Sequence, residues 1–211
     1  VCGHARIDGY AVAFISNNGP IDPAGATKAA QFIHLCNQSG TPIVFLQNTT
    51  GFIVGRASEE AGMIKHGAKM IQALSNSQVP HITLHCGASF GAGNYGMCGR
   101  AFHPRFCFSW PNARSAVMGG EQAATTLDIV ARQQAERSGK PVDEARLQAQ
   151  KAEIVALFES QASAFYTSGH LLDDGIIDPR QTREVLSLLL ATVREAAART
   201  PHAMQFAVPR F

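Results

Sequence analysis

The chain has 211 residues, of which 45% are apolar, 16% are charged and 19 are glycines, and its formal net charge is +2. This composition excludes a disordered chain, which would combine few apolar residues with a high net charge, and it argues against a coiled coil. No apolar run approaches the ~18 residues of a membrane span. The small positive excess favours an anionic small molecule over a nucleic acid, because nucleic-acid binding requires a denser basic stripe.

The sequence alternates between strand and helix patterns. Apolar runs bounded by turn residues predict four strands, at 10–15, 42–46, 80–86 and 106–110. Helical spacing predicts two helices between them and three after Gly119, at 23–39, 58–76, 120–138, 142–166 and 179–199. Strands that alternate with helices predict an α/β fold with crossover connections, here as a single domain with a helical C-terminal part.

The number of cysteines is odd, and no C-x-x-C pair occurs among Cys2, Cys36, Cys86, Cys98 and Cys107. This pattern predicts free thiols in a reducing compartment rather than a disulfide scaffold. His81 and His85 fall on one face of a predicted strand and are expected to be packed, and no Cys or His spacing indicates a metal site. No signal peptide is visible and the chain starts without Met inside an element, so we expect an excised part of a longer protein.

A glycine-rich turn follows the third predicted strand and contains a G-x-G-x-x-G pattern at Gly91, Gly93 and Gly96. A dinucleotide-binding turn would follow the first strand and need an acid about 20 residues on. The first acid after Gly91 is Glu121. The pattern therefore favours another role, in which N–H groups at a helix N-terminus stabilise an oxyanion. Close packing of the helix against the strand is the alternative explanation of the same glycines.

Two further turns lie at equivalent positions, 17–20 after the first strand and 47–52 after the second. Because ligands bind where the carboxyl ends of parallel strands meet, we expect the three turns to lie together. Only Glu59 and Glu60 are acidic between Asp22 and Glu121, which argues against acid–base chemistry by paired carboxylates there. The residues indicate chemistry that backbone N–H groups perform on an oxyanion.

Four segments, in the same order, resemble the carboxyltransferase β subunit of biotin-dependent acyl-CoA carboxylases: 46–56 (LQNTTGFIVGR), 63–73 (MIKHGAKMIQA), 89–123 (beginning SFGAGNYGMCGR) and 173–183 (DDGIIDPRQTR). The resemblance covers essentially the whole chain and corresponds to the C-terminal half of that subunit, with the N-terminal half absent. The sequence GAGNYGMCGR resembles the methylcrotonyl-CoA and geranyl-CoA branch. The residues at 86–89, 102–104 and 106–110 resemble the geranyl-CoA form more closely.

The resemblance implies an α/β fold of the crotonase-like (ClpP/crotonase) spiral type. It implies transfer of a carboxyl group from carboxybiotin to a β-methyl enoyl-CoA, with geranyl-CoA favoured over 3-methylcrotonyl-CoA. The N–H groups of Ala92 and Gly93 would stabilise the biotin oxyanion, with Gly91 shaping the turn. The resemblance also assigns residues to the two ligands. Those expected to border biotin are Thr50, Gly51, Phe52 and Asn94. Those expected to lie nearer the acyl-CoA are Asn18, Gly19 and Lys28.

The same resemblance implies partners and a location. The biotin would be carried by a biotin carboxylase and biotin carboxyl carrier α subunit, and further β subunits would form a hexameric core. The cytoplasm is expected, or the mitochondrial matrix in a eukaryote. We expect the chain alone to be nearly inactive. Two alternatives stay open: another crotonase-fold acyl-CoA enzyme, such as a hydratase or hydrolase, and a non-catalytic assembly domain.

Charged and polar residues outside the three turns have other expected roles. The alternative for Lys28 is a solvent-exposed charge on its helix that contacts no ligand. Glu121 and Gln122 are expected to start a helix and to form a subunit contact. Structural ion pairs are expected for three arginines, Arg100, Arg105 and Arg114.

Overall fold

In the computed structural model, the described residues 1–139 and 141–200 contain a six-stranded sheet with helices on both faces. The strands are β1 (Cys2–Ile7), β2 (Tyr10–Ser16), β3 (Ile43–Thr49), β4 (His81–Phe90), β5 (Phe106–Ser109) and β6 (Arg114–Ala116). A hairpin pairs β1 with β2, and β2, β3, β4 and β5 follow in parallel order. The short β6 pairs in parallel with the end of β4.

The helices are α1 (Pro23–Ser39), α2 (Arg56–Glu60), α3 (Met63–Ser75), α4 (Gly91–Gly96), α5 (Gly120–Ser138), α6 (Glu144–Ala162), α7 (Ala164–Gly169) and α8 (Thr182–Ala198). Asp22 caps α1 by accepting a hydrogen bond from the Gly25 N–H, and Gly40 ends the helix in the left-handed conformation. None of the helices in the described part of the chain has the length and apolarity that a membrane span requires.

Two apolar clusters form the core, one on each face of the sheet. Successive strand residues point to opposite faces, so Phe45 packs in one cluster and Val44 in the other. The Phe45 cluster is built with α1 and α3, through Ile33 and Met70. The Val44 cluster is covered by α8, through residues such as Leu190. The sheet is therefore buried on both sides, as parallel sheets require.

The predicted strands are confirmed, and β3 and β4 extend beyond the predicted ends to Thr49 and Phe90. The single helix predicted at 58–76 is wrong, because Gly62 adopts a φ of +81° and divides it into α2 and α3. The helix predicted at 142–166 is also divided. There Ser163 is extended and bridges to Arg114, and its hydroxyl accepts from the Tyr166 N–H to start α7.

Three other details qualify the sequence predictions. The helix predicted at 179–199 begins as a 3-10 turn, Pro179–Gln181, before α8. β1 and β6 were not predicted, because neither has a long apolar run. All five cysteines are free thiols.

Candidate active site

The three predicted turns lie together at the carboxyl ends of β2, β3 and β4. The Gly19 N–H donates to the Asn48 carbonyl at 2.8 Å, and the Ile21 N–H donates to the Gly51 carbonyl at 2.9 Å. A Cβ built on Gly93 would lie 2.8 Å from the Gly51 Cα. Backbone contacts therefore join the turns into one surface at the edge of the sheet.

The glycine turn begins α4 directly after β4. Phe90 is the extended N-cap residue, and Gly91 adopts a φ of +52°, which favours glycine. The first N–H groups of a helix have no acceptor within the helix. Ala92 is exposed, whereas Gly93 is buried. The helix therefore begins with backbone donors that no acceptor within α4 uses, and of the two predicted donor residues only Ala92 is exposed.

Close packing also requires glycines in α4. A Cβ at Gly93 would lie 2.9 Å from the Thr49 Cγ2, and one at Gly96 would lie 2.9 Å from the Phe52 Cζ. A Cβ at Gly91 would lie 2.9 Å from the Val117 carbonyl oxygen. The packing explanation of these glycines is therefore supported by the structure, and the glycine pattern alone does not demonstrate an oxyanion site.

The residues expected to border biotin differ in their surroundings. Thr50 is exposed, and Gly51 adopts a φ of +133°. The half-buried Phe52 ring packs between Gly67 of α3 and Gly96 of α4. The amide of Asn94 turns inward, where its Nδ2 donates to the Ser89 Oγ at 2.7 Å. A Cβ at position 99 would overlap the Asn94 side chain, so the chain carries Gly99 there.

The residues expected near acyl-CoA lie on the turn after β2 and on α1. The exposed Asn18 accepts a hydrogen bond from the Asn48 Nδ2 at 2.7 Å. Gly19 adopts a φ of +122°, and space is open where its Cβ would be. Lys28 is exposed on α1 near Cys2. Burial raises the pKa of the Cys2 thiol, and the charge of Lys28 opposes that rise.

Gln47 and Asn48, which the sequence predicted only as the start of the turn at 47–52, lie instead in β3 beneath the site. The buried Gln47 donates from its Nε2 to the Met97 carbonyl at 2.7 Å. The Oδ1 of Asn48 accepts from the Ala88 N–H at 3.0 Å. One sequence feature could have indicated their role. Two residues with amide side chains directly follow the apolar run PIVFL, where a buried strand would otherwise continue with apolar residues.

A cluster of buried polar side chains links the middle of β4 to β5 and to Asp173. Ser109 donates to the Asp173 Oδ2 at 2.6 Å, and the His85 Nδ1 lies 3.2 Å from the same hydroxyl oxygen. Because the serine hydrogen is used by Asp173, the imidazole carries its hydrogen on Nδ1. The His85 Nε2 is then an acceptor with no partner among the described residues. Burial lowers the pKa of His85 to about 4, and the nearby Asp173 charge opposes that shift.

His81 is packed as expected, with its Nε2 at 2.8 Å from the Ser77 Oγ. Of the three arginines expected to form ion pairs, Arg100 does so, whereas Arg105 and Arg114 pair with no acidic side chain among the described residues. Arg100 pairs with Asp174 at 3.1 Å. Arg114 instead donates to the Glu159 carbonyl at 2.8 Å, because Ser163 bridges to Arg114 and brings the end of α6 alongside it. Among the described residues, no group of three or more His, Cys, Asp or Glu side chains could hold a metal ion.

Comparison with known proteins identifies relatives of this chain. A family model for the carboxyl transferase domain matches residues 1–206. The chain is 52% identical over 194 residues to the probable biotin-dependent acyl-coenzyme A carboxylase beta2 subunit of Mycobacterium tuberculosis, covering 92% of this chain and 37% of that protein. It is 50% identical over 191 residues to the mitochondrial methylcrotonoyl-CoA carboxylase beta chain of Arabidopsis thaliana, covering 90% and 32%.

Solved structures show the same relationship. The beta subunit of Pseudomonas aeruginosa geranyl-CoA carboxylase superposes with a TM-score of 0.89 at 51% identity, covering 100% of this chain and 40% of that one. The transcarboxylase 12S structure gives a TM-score of 0.80 at 28% identity, covering 99% and 39%. The chain therefore spans about a third of the length of these curated relatives. The expected crotonase-like α/β fold is confirmed, and the chain belongs to the carboxyl transferase domain family.

Proposed function

We propose that this chain provides the biotin side of the carboxyltransferase site in a biotin-dependent acyl-CoA carboxylase. The observation that carries the proposal is the N-terminal turn of α4, which exposes Ala92 and packs through Gly93 against the joined turns after β2 and β3. The similarity to acyl-CoA carboxylase β chains over nine-tenths of this chain supports the same reaction.

The residues present fit a ureido group that becomes anionic. Ala92 is exposed at the start of α4, where helix N–H groups have no internal acceptor. None of the residues in the three turns carries a carboxylate that would repel a developing negative charge. When bound, carboxybiotin supplies the carboxyl group and, once that group has left, a base for the substrate proton.

In this mechanism the protein acts mainly through its backbone. The N–H groups of Ala92 and Gly93 would hold the ureido oxygen of carboxybiotin, and donors fixed in advance lower a barrier because they need no reorganisation. The φ of +52° at Gly91 sets the backbone direction of this turn. Thr50, Gly51 and Phe52 would border the biotin pocket. Asn94 would border it too, and its side chain helps to hold the turn of α4 in place.

The acyl-CoA side of the proposal rests on Asn18, Gly19 and Lys28. The exposed ammonium of Lys28 can pair with a CoA phosphate. We propose a β-methyl enoyl-CoA as substrate, with geranyl-CoA favoured over 3-methylcrotonyl-CoA. Identity to the geranyl-CoA carboxylase structure is 51% and to a methylcrotonoyl-CoA carboxylase chain 50%, so overall identity favours neither substrate. The preference rests on the local sequence at 86–89, 102–104 and 106–110.

The proposal includes partners and a place in the cell. A biotin carboxylase and biotin carboxyl carrier α subunit would bring carboxybiotin to the site, and further β subunits would complete a hexameric core. A relative with 28% identity was described as a hexamer in its structural study. We place the protein in the cytoplasm, or in the mitochondrial matrix if the source is eukaryotic, as in the mitochondrial beta chain of Arabidopsis thaliana.

A substrate panel tests the proposal. The β subunit that contains this chain is assembled with its biotinylated partner, and bicarbonate- and ATP-dependent carboxylation is measured with geranyl-, 3-methylcrotonyl- and propionyl-CoA. We expect geranyl-CoA to give the highest kcat/KM. Turnover of an enoyl-CoA without biotin would support a hydratase or hydrolase instead. Assembly with the partner but no carboxylation of any substrate would support a non-catalytic assembly domain.

A further inference from the structure

The side chain of Gln47 lies directly beneath α4 and contacts the polypeptide at the end of that helix. Gln47 is in β3 and is fully buried, with a relative exposure of 0%. Its Nε2 donates to the Met97 carbonyl, which can only accept, at 2.7 Å. The amide orientation is therefore fixed, and the Oε1 accepts from the Ser89 hydroxyl.

An irregularity in the sheet brings Ser89 to Gln47. In the β3–β4 register, Gln47 pairs with His85 and Thr49 pairs with Ser89. Two steps along β3 therefore match four steps along β4, and the extra residues form a bulge. Ser89 then donates to Gln47 while its oxygen accepts from the Asn94 Nδ2 at 2.7 Å.

The resulting chain of hydrogen bonds holds α4 at two points. Gln47 donates a hydrogen bond to Met97 at the C-terminal end of the helix. Through Ser89 it is also linked to Asn94, the fourth residue of the helix. A six-residue helix has little stability of its own. Its orientation therefore depends on these contacts and on the glycine packing described above.

We propose that Gln47 is a positioning residue that sets the orientation of α4, and with it the direction of the Ala92 and Gly93 N–H groups. This inference rests on the proposed function, since it concerns the same oxyanion site. If residue 47 only had to fill space, an apolar side chain of similar size would be sufficient, as at other positions of β3. The amide instead donates to the buried Met97 carbonyl and accepts the Ser89 hydroxyl hydrogen, which would otherwise lack an acceptor.

The surroundings of Gln47 are neutral near physiological pH. The buried titratable groups on the neighbouring elements are His81 and His85 of β4 and Cys98 after α4. Burial lowers the pKa of both histidines to about 4 and raises the pKa of the Cys98 thiol to about 12. On α4 itself, Tyr95 is 49% exposed and so faces solvent. A charge introduced at position 47 would be the principal buried charge to titrate there between pH 6 and about 9.

The substitution Gln47→Glu tests the inference because its effect depends on protonation. A carboxylate cannot donate to the Met97 carbonyl, whereas a protonated carboxyl group donates to it and still accepts from Ser89. Relative to wild type, we expect kcat for carboxylation to be roughly 10–100-fold lower at pH 9 and to recover at pH 6, since small misplacements of a catalytic group cost rates of this size. The KM for acyl-CoA should stay unchanged.

Two variants complete the experiment, which uses the whole β subunit with its biotinylated partner. Gln31→Glu makes the same chemical change on the exposed face of α1 and should keep the wild-type pH profile. Ser89→Ala breaks the link to Asn94 without adding a titratable group. It should lower kcat roughly 3–30-fold at every pH, and it provides the test if Gln47→Glu does not fold.

The outcomes separate this inference from the proposed function. If the wild-type enzyme carboxylates no acyl-CoA, the proposed function fails. If wild type is active, the inference is overturned when folded Gln47→Glu has a wild-type pH profile or when Ser89→Ala keeps full kcat. A role in stability alone would lower the unfolding temperature but leave the shape of the kcat profile per folded enzyme unchanged.

Discussion

Gly93 contacts Gly51 so closely that no side chain fits between them: a Cβ on Gly93 would lie 2.8 Å from the Gly51 Cα and 3.1 Å from its nitrogen. The two glycines belong to turns that follow different strands. Their contact is made by backbone atoms, which cannot rotate away as a side chain can. The position of the α4 donors is therefore coupled to the loop between Thr49 and Phe52.

Adding a methyl group at this contact should impair catalysis. Gly93→Ala forces the α4 turn away from Gly51 and Thr49, with a packing cost of about 1–3 kcal/mol. We expect kcat for carboxylation to fall by roughly 100-fold, comparable to the loss of one oxyanion donor. Gly169→Ala is the matched control, since a Cβ there contacts nothing within 4 Å. Comparable kcat in the two variants would contradict the prediction.

The amide of Asn48 should stabilise the junction between the turns. Its Oδ1 accepts from the Ala88 N–H in the β4 bulge at 3.0 Å, and its Nδ2 donates to the Asn18 Oδ1 at 2.7 Å. Asn48→Ala leaves the Ala88 N–H without its acceptor, so we expect a loss of about 1–3 kcal/mol in stability. Asn48→Asp keeps that acceptor and should lose less.

Thermal unfolding of the β subunit measures this difference. The expected order of unfolding temperatures is wild type, Asn48→Asp and then Asn48→Ala. Gln31→Ala, an exposed truncation on α1, serves as the control and should unfold like wild type. A higher unfolding temperature for the alanine variant than for the aspartate variant would show that the Ala88 N–H does not depend on Asn48.

The general architecture was predictable because it depends on local patterns. Four apolar runs and the cap residues Asp22 and Gly40 were enough to place the central strands and α1. The turns were predictable as a group because parallel strands align their carboxyl ends. The break at Gly62 was missed, since a glycine inside a helical pattern is compatible with both a continuous and a divided helix.

The support beneath the site could not be predicted in the same way. Gln47 and Ser89 are 42 residues apart, and their contact depends on a bulge that has no clear sequence signal. The short β6 follows from pairing with the end of β4 rather than from its own three residues. Such features arise from tertiary contacts, which strand and helix propensities do not contain.

Stability should fall in mild acid because two histidines are buried in neutral form. Burial lowers the pKa of His81 and His85 to about 4, whereas an unfolded chain titrates its histidines near ~6.5. Between these values the unfolded state binds protons that the folded state does not. The free energy of unfolding should therefore decrease as the pH falls from about 6.5 to about 4, by at most about 3 kcal/mol for each histidine.

The histidine prediction is checked by the unfolding temperature of the β subunit between pH 8 and pH 4.5. His85→Gln removes one buried imidazole and should reduce the pH dependence, even if the variant is less stable at pH 8. His34→Gln changes an exposed histidine on α1 and should keep the wild-type dependence. An identical slope in the His85 and His34 variants would show that the imidazole of His85 does not oppose protonation, and that the Asp173 charge nearby compensates for its burial.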